Sequence, residues 1–241
     1  MLSKSQLKLI SSLQQKKYRT KHGLFIAEGV KLVNEFLNST YNCKLLLKTE
    51  DFGPIPTNVD QQLIEPRELQ KISLLKSPNK VLGLFEIPEP NNRVENGLIV
   101  ALDGLNDPGN LGTIIRLCDW FGVNQLVCST DTVDCYNPKV VQASMGSLSR
   151  VRLIYQDLRL FLENSKLPSY GAFMDGDSVY SKKLVEDAIL LMGNEANGIS
   201  EPIASILKER ISIPRFGSLQ ETESLNVASA TAILLNEFRR G

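Results

Sequence analysis

The sequence predicts an α/β fold with a parallel sheet, because strand-length apolar runs alternate with amphipathic segments through its second half. The apolar runs are typical of buried strands; they lie at residues 98–102, 125–128, 170–174, 188–192 and 211–213. The segments between them have helical periodicity; they lie at residues 112–121, 138–148, 157–164, 201–208 and 225–239. We therefore expect a sheet flanked by helices.

A turn-rich linker precedes this region. Residues 88–92 read PEPNN and are poor in large apolar side chains, whereas an apolar strand begins at residue 98. A chain of 241 residues is long enough to bury two modest cores. We predict two domains, residues 1–95 and residues 96–241.

The first domain is predicted to be a small α/β domain. Its helical patterns lie at residues 4–14, 30–37 and 67–75. Its strand patterns lie at residues 23–29, 44–48 and 81–85.

The start of the chain is basic. Six cations precede the first acid, Glu28; they are Lys4, Lys8, Lys16, Lys17, Arg19 and Lys21. Such a cluster is typical of a face that binds nucleic-acid phosphates, since neutralising phosphate charge releases counterions. From charge alone, a solvated helix face is an equally good interpretation. The candidate RNA contacts are Lys16, Lys17, Arg19 and Lys21.

Composition indicates an ordinary globular protein, with 42% hydrophobic and 22% charged residues. The longest apolar runs have the length of strands, and no signal-like core opens the chain, so we expect a cytoplasmic protein without a membrane span. The cysteines form no CxxC pair and only His22 could join them, which predicts free thiols and no metal site. No GxGxxG or GxxxxGK[ST] motif is present.

Three polar segments stand out in the second domain. Residues 110–116 read NLGTIIR and residues 192–199 read MGNEANGI, each after a predicted strand. Residues 223–228 read ESLNVA and open the last predicted helix. The N-terminus of a helix favours anions, so Ser224 and Asn226 could hold phosphate; a plain helix cap is the alternative.

In order and spacing, these segments resemble the three motifs of the SpoU (TrmH-like) family of SPOUT RNA methyltransferases. The resemblance covers most of residues 96–241; it extends to Asp103, Phe121, Gly122, Lys139, Ser144, Met145 and Gly146. It implies a deep C-terminal trefoil knot, a homodimer, the cofactor S-adenosylmethionine and methylation of a ribose 2′-hydroxyl. A looser pattern resembles the RNA substrate-binding domain that precedes many such domains; it comprises Arg19, Gly23, Phe25, Glu28 and Gly29.

The resemblance also implies catalytic roles. It gives Arg116 the central one, and because a guanidinium stays charged we favour stabilisation of the developing alkoxide over proton abstraction. Glu195 would orient Arg116 or Asn110, and Ser224 and Asn226 would hold the substrate phosphate or the arginine. Residues 96–241 contain no histidine, which leaves carboxylates as rival bases; these are Asp103 and Glu223.

The predicted cofactor contacts are Gly193, Asn194, Gly198, Ile213 and Leu225. The glycines would allow a tight turn next to the ligand, and Ile213 and Leu225 would form apolar walls. A tight loop without a ligand is the alternative for the glycines.

The chain departs from the family at residues 215–223, which are a few residues longer than the usual spacing. We expect an RNA 2′-O-ribose methyltransferase; a noncatalytic RNA-binding protein with the same fold is the alternative, and a methyltransferase for a small molecule or protein is a third. The resemblance favours rRNA over tRNA, because the chain ends RRG without the long basic tail of some tRNA-directed relatives and its first domain resembles those of rRNA-directed relatives.

Overall fold

The computed structural model describes residues 1–51, 53–57, 59–219 and 224–240. The chain forms two compact units, one from residues 1–90 and 134–150, the other from residues 91–133 and 151 onward. Segment 134–150 follows the first strands of the second predicted domain along the chain, but it packs in the first unit. The functional division at residues 95 and 96 stays a prediction.

The first unit contains a mixed four-stranded sheet. Its strands are β1 (Leu24–Glu28), β2 (Cys43–Lys48), β3 (Gln61–Leu63) and β4 (Val81–Glu86), in the order β1-β4-β2-β3. Strand β4 runs antiparallel to β1 and β2, and β3 runs parallel to β2. The helices are α1 (Lys4–Ser12), α2 (Lys16–His22), α3 (Val30–Leu37), α4 (Pro66–Ile72) and, from the inserted segment, α6 (Pro138–Ser144).

Apolar residues are buried on both faces of this sheet. Ile26 belongs to a cluster that includes Ile10 and Leu69 from α1 and α4. The neighbouring Phe25 points the other way, because strand side chains alternate, and its ring lies 5.3 Å from Phe36 and 4.8 Å from Tyr136. The inserted segment thus completes an aromatic core.

Arg19 is the one predicted RNA contact that the structure contradicts. Its side chain is buried, with 2% of the residue exposed. It donates hydrogen bonds to the carbonyls of Leu13 and Gln14 and pairs with the carboxylate of Asp134. A buried cation needs such partners, so Arg19 joins the α1–α2 turn to the inserted segment and is withdrawn from the RNA-binding set. Lys16, Lys17 and Lys21 are exposed.

The second unit contains the predicted parallel sheet, with six strands. They are β5 (Leu98–Leu102), β6 (Gln125–Cys128), β7 (Arg152–Tyr155), β8 (Ser169–Ser178), β9 (Ala188–Met192) and β10 (Glu209–Ser212). Their order is β7-β6-β5-β9-β8-β10, and every neighbouring pair is parallel. The helices are α5 (Pro108–Trp120), α7 (Leu158–Asn164), α8 (Glu201–Ala204) and α9 (Val227–Arg239). The predicted α/β class is confirmed, and the trefoil knot stays a prediction.

The central strands β5 and β9 are buried along their whole length. Ile99 and Ile189 pack in one cluster with Leu158 and Ile203 from α7 and α8. Helices α5 and α9 contact each other. Strand order reverses at β5, with β6 on one side and β9 on the other. Such a switch point opens a crevice at the carboxyl ends of the strands, where ligands bind in open α/β sheets.

The described part of the chain includes no helix with the length and apolar character needed to cross a membrane. Among the same residues, no group of three or more histidine, cysteine and carboxylate side chains could hold a metal ion. All four cysteines are buried, and no disulfide joins them.

Candidate active site

The start of α5 places Asn110 at the carboxyl edge of the sheet. Asp107 caps this helix by accepting a hydrogen bond from the backbone N–H of Asn110, at 2.8 Å. Pro108 occupies the first turn, where its missing N–H costs nothing. The local sequence DPGN therefore fixes the helix start and holds Asn110 in its first turn.

Three predicted catalytic residues, Asn226, Asn110 and Glu195, are joined by two consecutive hydrogen bonds, which we call the relay. Asn226 donates its Nδ2–H to Oδ1 of Asn110 at 2.9 Å, and Asn110 donates its Nδ2–H to Oε1 of Glu195 at 3.0 Å. Asn226 also caps α9, because its Oδ1 accepts from the backbone N–H groups of Ala228 and Ser229. The relay therefore joins the starts of α5 and α9 to the loop after β9, and each amide has one favourable orientation.

Glu195 anchors the relay as a carboxylate. It accepts further hydrogen bonds from the backbone N–H groups of Asn106 and Asp107, at 3.3 and 3.1 Å. Burial alone would raise the pKa of Glu195, but hydrogen bonds from Asn110 and from backbone N–H groups outweigh it and hold that pKa below its ordinary value. Of the two partners predicted for Glu195, the structure pairs it with Asn110.

Arg116 lies near the middle of α5, outside the relay. Its side chain is exposed, and it makes no hydrogen bond or ion pair within the described residues. Ser224, two residues before the cap of α9, is also exposed. The structure therefore brings Asn110, Glu195 and Asn226 together and leaves the guanidinium of Arg116 available to an anionic ligand.

The loop after β9 is a tight turn closed by its own backbone. Asn194 and Gly198 exchange two backbone hydrogen bonds of 2.9 Å. The side chain of Asn194 accepts from the N–H groups of Ala196 and Asn197 and donates to the carbonyl of Gly104. The amide group of Asn194 thus shapes the loop and joins it to the loop after β5, a structural role that its motif position did not reveal.

Gly193 is needed for this turn. A Cβ at this position would lie 2.1 Å from the carbonyl carbon of Gly198 and 2.3 Å from the nitrogen of Ile199. Gly198 has φ +68°, in the left-handed region that favours glycine. The turn itself therefore requires glycine at both positions, and their contact with the cofactor stays a prediction.

Replacing Gly193 by alanine should displace this loop and weaken cofactor binding. Overpacking costs about 1–3 kcal/mol, so the Kd for S-adenosylmethionine should rise roughly 5- to 150-fold, as measured by calorimetry. Gly217→Ala is the matched control, because Gly193 and Gly217 line one cavity, and a Cβ on Gly217 would meet no atom of the described residues within 4 Å. Unchanged affinity in Gly193→Ala would show that the loop does not shape the donor site.

A cavity of about 1040 Å³ opens beside this loop. All five predicted cofactor residues line it, together with three of the predicted catalytic residues; they are Gly193, Asn194, Gly198, Ile213 and Leu225, with Glu195, Ser224 and Asn226. Buried side chains of α9, including Leu234, form an apolar floor. Pockets for cofactors are typically about 300–1,000 Å³ and largely apolar with a few polar groups, so these residues fit an adenosine-containing ligand.

Two acidic residues have structural roles at the site that the sequence did not indicate. Asp107 caps α5, and the DPG sequence is a signal that could have identified it. Asp103, considered as a rival base, accepts a hydrogen bond from the N–H of Ser200 at 2.8 Å and so joins the loops after β5 and β9. Glu223, the other rival, lies outside the described residues, and segment 215–223 is described only as far as Leu219.

Comparison with known proteins identifies this arrangement. The profile of the SpoU rRNA Methylase family matches residues 97–236, more than half of the chain. The chain belongs to this family. A second profile, the MRM3-like substrate binding domain, matches residues 4–83.

Relatives of this SpoU chain match it over nearly its whole length. It is 28% identical to the 23S rRNA (guanosine(2553)-2′-O)-methyltransferase RlmP of Bacillus subtilis, over 94% of this chain and 93% of the relative. A structure from Porphyromonas gingivalis, assigned to the TrmH family of RNA methyltransferases, superposes with a TM-score of 0.91 at 39% identity, over 100% and 99% of the two chains. The structure of an AdoMet-bound rRNA methyltransferase from Sinorhizobium meliloti superposes with a TM-score of 0.85 at 29% identity, over 100% of this chain and 97% of that chain.

Proposed function

We propose that this chain transfers the methyl group of S-adenosylmethionine to a ribose 2′-hydroxyl of rRNA. The observation that carries the proposal is the convergence of Glu195, Ser224 and Asn226 with Gly193 and Leu225 on one cavity, beside the carboxyl ends of β9 and β10. Membership of the SpoU family and similarity over nearly the full length to a named rRNA 2′-O-methyltransferase support the donor and the acceptor.

The residues of the site would have separate roles in binding the donor and in positioning the acceptor. The cofactor supplies an already activated methyl group, so positioning carries much of the rate acceleration. Ile213 and Leu225 would enclose the adenosine part. The relay from Asn226 to Glu195 would hold the first turns of α5 and α9 in fixed positions relative to each other.

Arg116 would act on the acceptor. Negative charge would build on the 2′-oxygen as its proton leaves, and the oxygen would then form its bond to the methyl carbon while the carbon–sulfur bond breaks and the donor departs as a neutral thioether. A permanently charged guanidinium lowers the cost of that charge and can hold the adjacent phosphate. We assign the departing proton to water, because a guanidinium is not a base, residues 96–241 contain no histidine, and Asp103 already accepts a hydrogen bond from the N–H of Ser200.

Labelled methyl transfer tests the proposal. Wild-type protein with methyl-labelled S-adenosylmethionine and total rRNA should give labelled RNA, and digestion to nucleosides should yield a 2′-O-methyl nucleoside. Tight rRNA binding without transfer would support the noncatalytic alternative. Label found only in protein or in small molecules would support the third hypothesis, a methyltransferase for a small molecule or protein.

The homodimer is part of this proposal. Trp120, in the last turn of α5, is 84% exposed, an unusual position for so large an aromatic side chain. Exposed aromatics of this kind are enriched at the centres of protein interfaces. We place this face of α5, which also carries Arg116, at the dimer contact, so that the partner copy would complete the site.

Trp120→Glu should therefore weaken self-association. Loss of a central aromatic costs at least about 2 kcal/mol, so the dimer Kd should rise at least 30-fold or so in sedimentation equilibrium. Leu160→Glu is the control, because Leu160 is an exposed apolar residue of α7. A monomeric wild type, or a Trp120→Glu variant that associates normally, would remove α5 from the interface.

The first domain completes the proposal. Its match to a substrate binding domain and the exposed Lys16, Lys17 and Lys21 support a role in holding rRNA. We also propose that the protein acts in the cytoplasm and that a trefoil knot holds the donor loops together.

A further inference from the structure

The mouth of the donor cavity carries large apolar side chains that face outward. Phe216 is 85% exposed and Leu219 is 79% exposed, and both line the cavity together with the half-exposed Met174. Phe216 and Leu219 come from the segment that is longer than the family spacing. Contiguous exposed apolar groups at a cavity mouth mark a surface that binds something.

Phe216 does not stand alone. Its ring centroid lies 6.4 Å from that of Tyr180, with an angle of 32° between the ring planes. Tyr180 belongs to the short 3-10 helix Val179–Ser181, which contacts α9, and is itself exposed. Two exposed rings from different segments therefore form one aromatic surface at the edge of the cavity.

We propose that Phe216 and Tyr180 form a stacking platform for an unpaired base of the substrate RNA, at or next to the ribose that receives the methyl group. This inference rests on the proposed function, because it takes the acceptor to be RNA. Proteins that recognise RNA sequence select splayed, unpaired bases and stack them on aromatic rings. A ribose brought to the donor carries its base with it, so an aromatic surface on the rim of the same cavity is where that base can bind.

Three features favour a base over other occupants. The cavity already has buried apolar walls for the donor, including Val227 and Leu234, so the donor does not require an outward ring. At about 1040 Å³ the cavity is at the upper end of the usual range for small-molecule sites, which leaves room beside the donor. Phe216 and Tyr180 are rings rather than aliphatic side chains, and stacking on a base requires a ring.

Substitutions at position 216 test the platform. Phe216→Ala should raise the Kd for a short single-stranded RNA carrying 2-aminopurine about 5- to 150-fold, since stacking contributes roughly 1–3 kcal/mol per base. It should also abolish the quenching of the 2-aminopurine that stacking produces. Phe216→Tyr should bind and quench like wild type. Phe216→Leu, which keeps apolar bulk without a ring, should behave like the alanine variant.

Further measurements separate the base from its competitors. The Kd for S-adenosylmethionine and the sedimentation behaviour should not change in Phe216→Ala, and Leu160→Ala serves as a control that removes an exposed apolar side chain outside the cavity. Weaker donor binding with normal RNA binding would assign Phe216 to the cofactor and overturn the proposal. Loss of self-association would assign it to a second copy and equally overturn it.

The failure of this proposal can be told from the failure of the proposed function. If wild-type protein methylates rRNA while Phe216→Ala and Phe216→Leu bind and methylate RNA normally, only the platform is wrong. If wild-type protein transfers no methyl group to RNA, the function itself is wrong.

Discussion

Arg116→Ala should lower kcat for methyl transfer to rRNA by about 100- to 1,000-fold, the usual loss when one stabiliser of transition-state charge is removed. The Kd for S-adenosylmethionine should stay the same, because Arg116 is not among the residues that line the donor cavity. Arg116→Lys should be intermediate, since it keeps the charge but loses the planar fork of donors. Single-turnover kinetics with labelled donor measures the effect.

The fold should not respond to this substitution. Arg116 is exposed and makes no ion pair or hydrogen bond with the residues that the structure describes. Its replacement should therefore change the free energy of unfolding by less than about 0.5 kcal/mol. Arg159→Ala is the matched control, because Arg159 is an exposed arginine of α7 whose ion pair with Glu163 is far along the chain from the motifs. Normal turnover in Arg116→Ala would contradict the mechanism.

The relay predicts a second large effect, in Asn110→Asp. This change places two carboxylates at the 3.0 Å contact with Glu195, where both cannot be ionised without strong repulsion. Displacement of α5 by even about 1 Å can cost about 100-fold in rate, and we expect kcat/KM to fall by about that factor. The repulsion raises the pKa of the carboxylate pair, so at mildly acidic pH the two carboxylates share a bound proton. The fall in kcat/KM should therefore be smaller at mildly acidic pH and largest at alkaline pH.

The double variant Asn110→Asp with Glu195→Gln tests whether this contact causes the loss. It restores one donor and one acceptor across the contact and returns the pair to a single negative charge. We expect it to recover at least about tenfold in kcat/KM over Asn110→Asp, a coupling within the usual range for residues in contact. Recovery should be partial, because Glu195 Oε1 also accepts from the backbone N–H of Asp107, at 3.1 Å. Additive losses in the double variant would show that the relay does not position the site.

The wild-type relay should be insensitive to pH near neutrality. Hydrogen bonds hold the pKa of Glu195 below its ordinary value, so it is ionised there. Its contribution to stability is present above the ordinary carboxylate pKa and is lost only as pH falls through the lowered value.

Much of the second domain followed from the sequence. Strands 98–102, 125–128 and 188–192 lie where the apolar runs predicted them, because burial on both faces of a parallel sheet requires continuous apolar side chains. Strand β7 was missed because its sequence, RLIY, is short and begins with a charged residue, and pairing with β6 decides its conformation. Helix α8 is shorter than the predicted range 201–208, since strand β10 begins at Glu209 after a turn.

The first unit shows where sequence patterns were insufficient. Helix α2, with the sequence KKYRTKH, has little apolar periodicity, so charge alone suggested a phosphate-binding face. Strand β3 has three residues and forms by pairing with β2. Segment 134–150 lies within the second predicted domain along the chain, yet Tyr136 contacts Phe25 and Arg150 pairs with Glu35 in the first unit.

The sequence by itself determined the fold class and the family, because apolar periodicity and motif order are properties of the chain alone, and it also predicted the residues of the site. Only the tertiary structure decided how those residues are used. In the structure Glu195 pairs with Asn110, and the side chain of Asn194 forms hydrogen bonds within its own loop. Arg19 is buried against Asp134, whereas Phe216 is exposed. The physical reason is that burial and hydrogen-bond partners depend on residues distant in the chain, and these contacts decide whether a polar side chain supports the fold or remains available to a ligand.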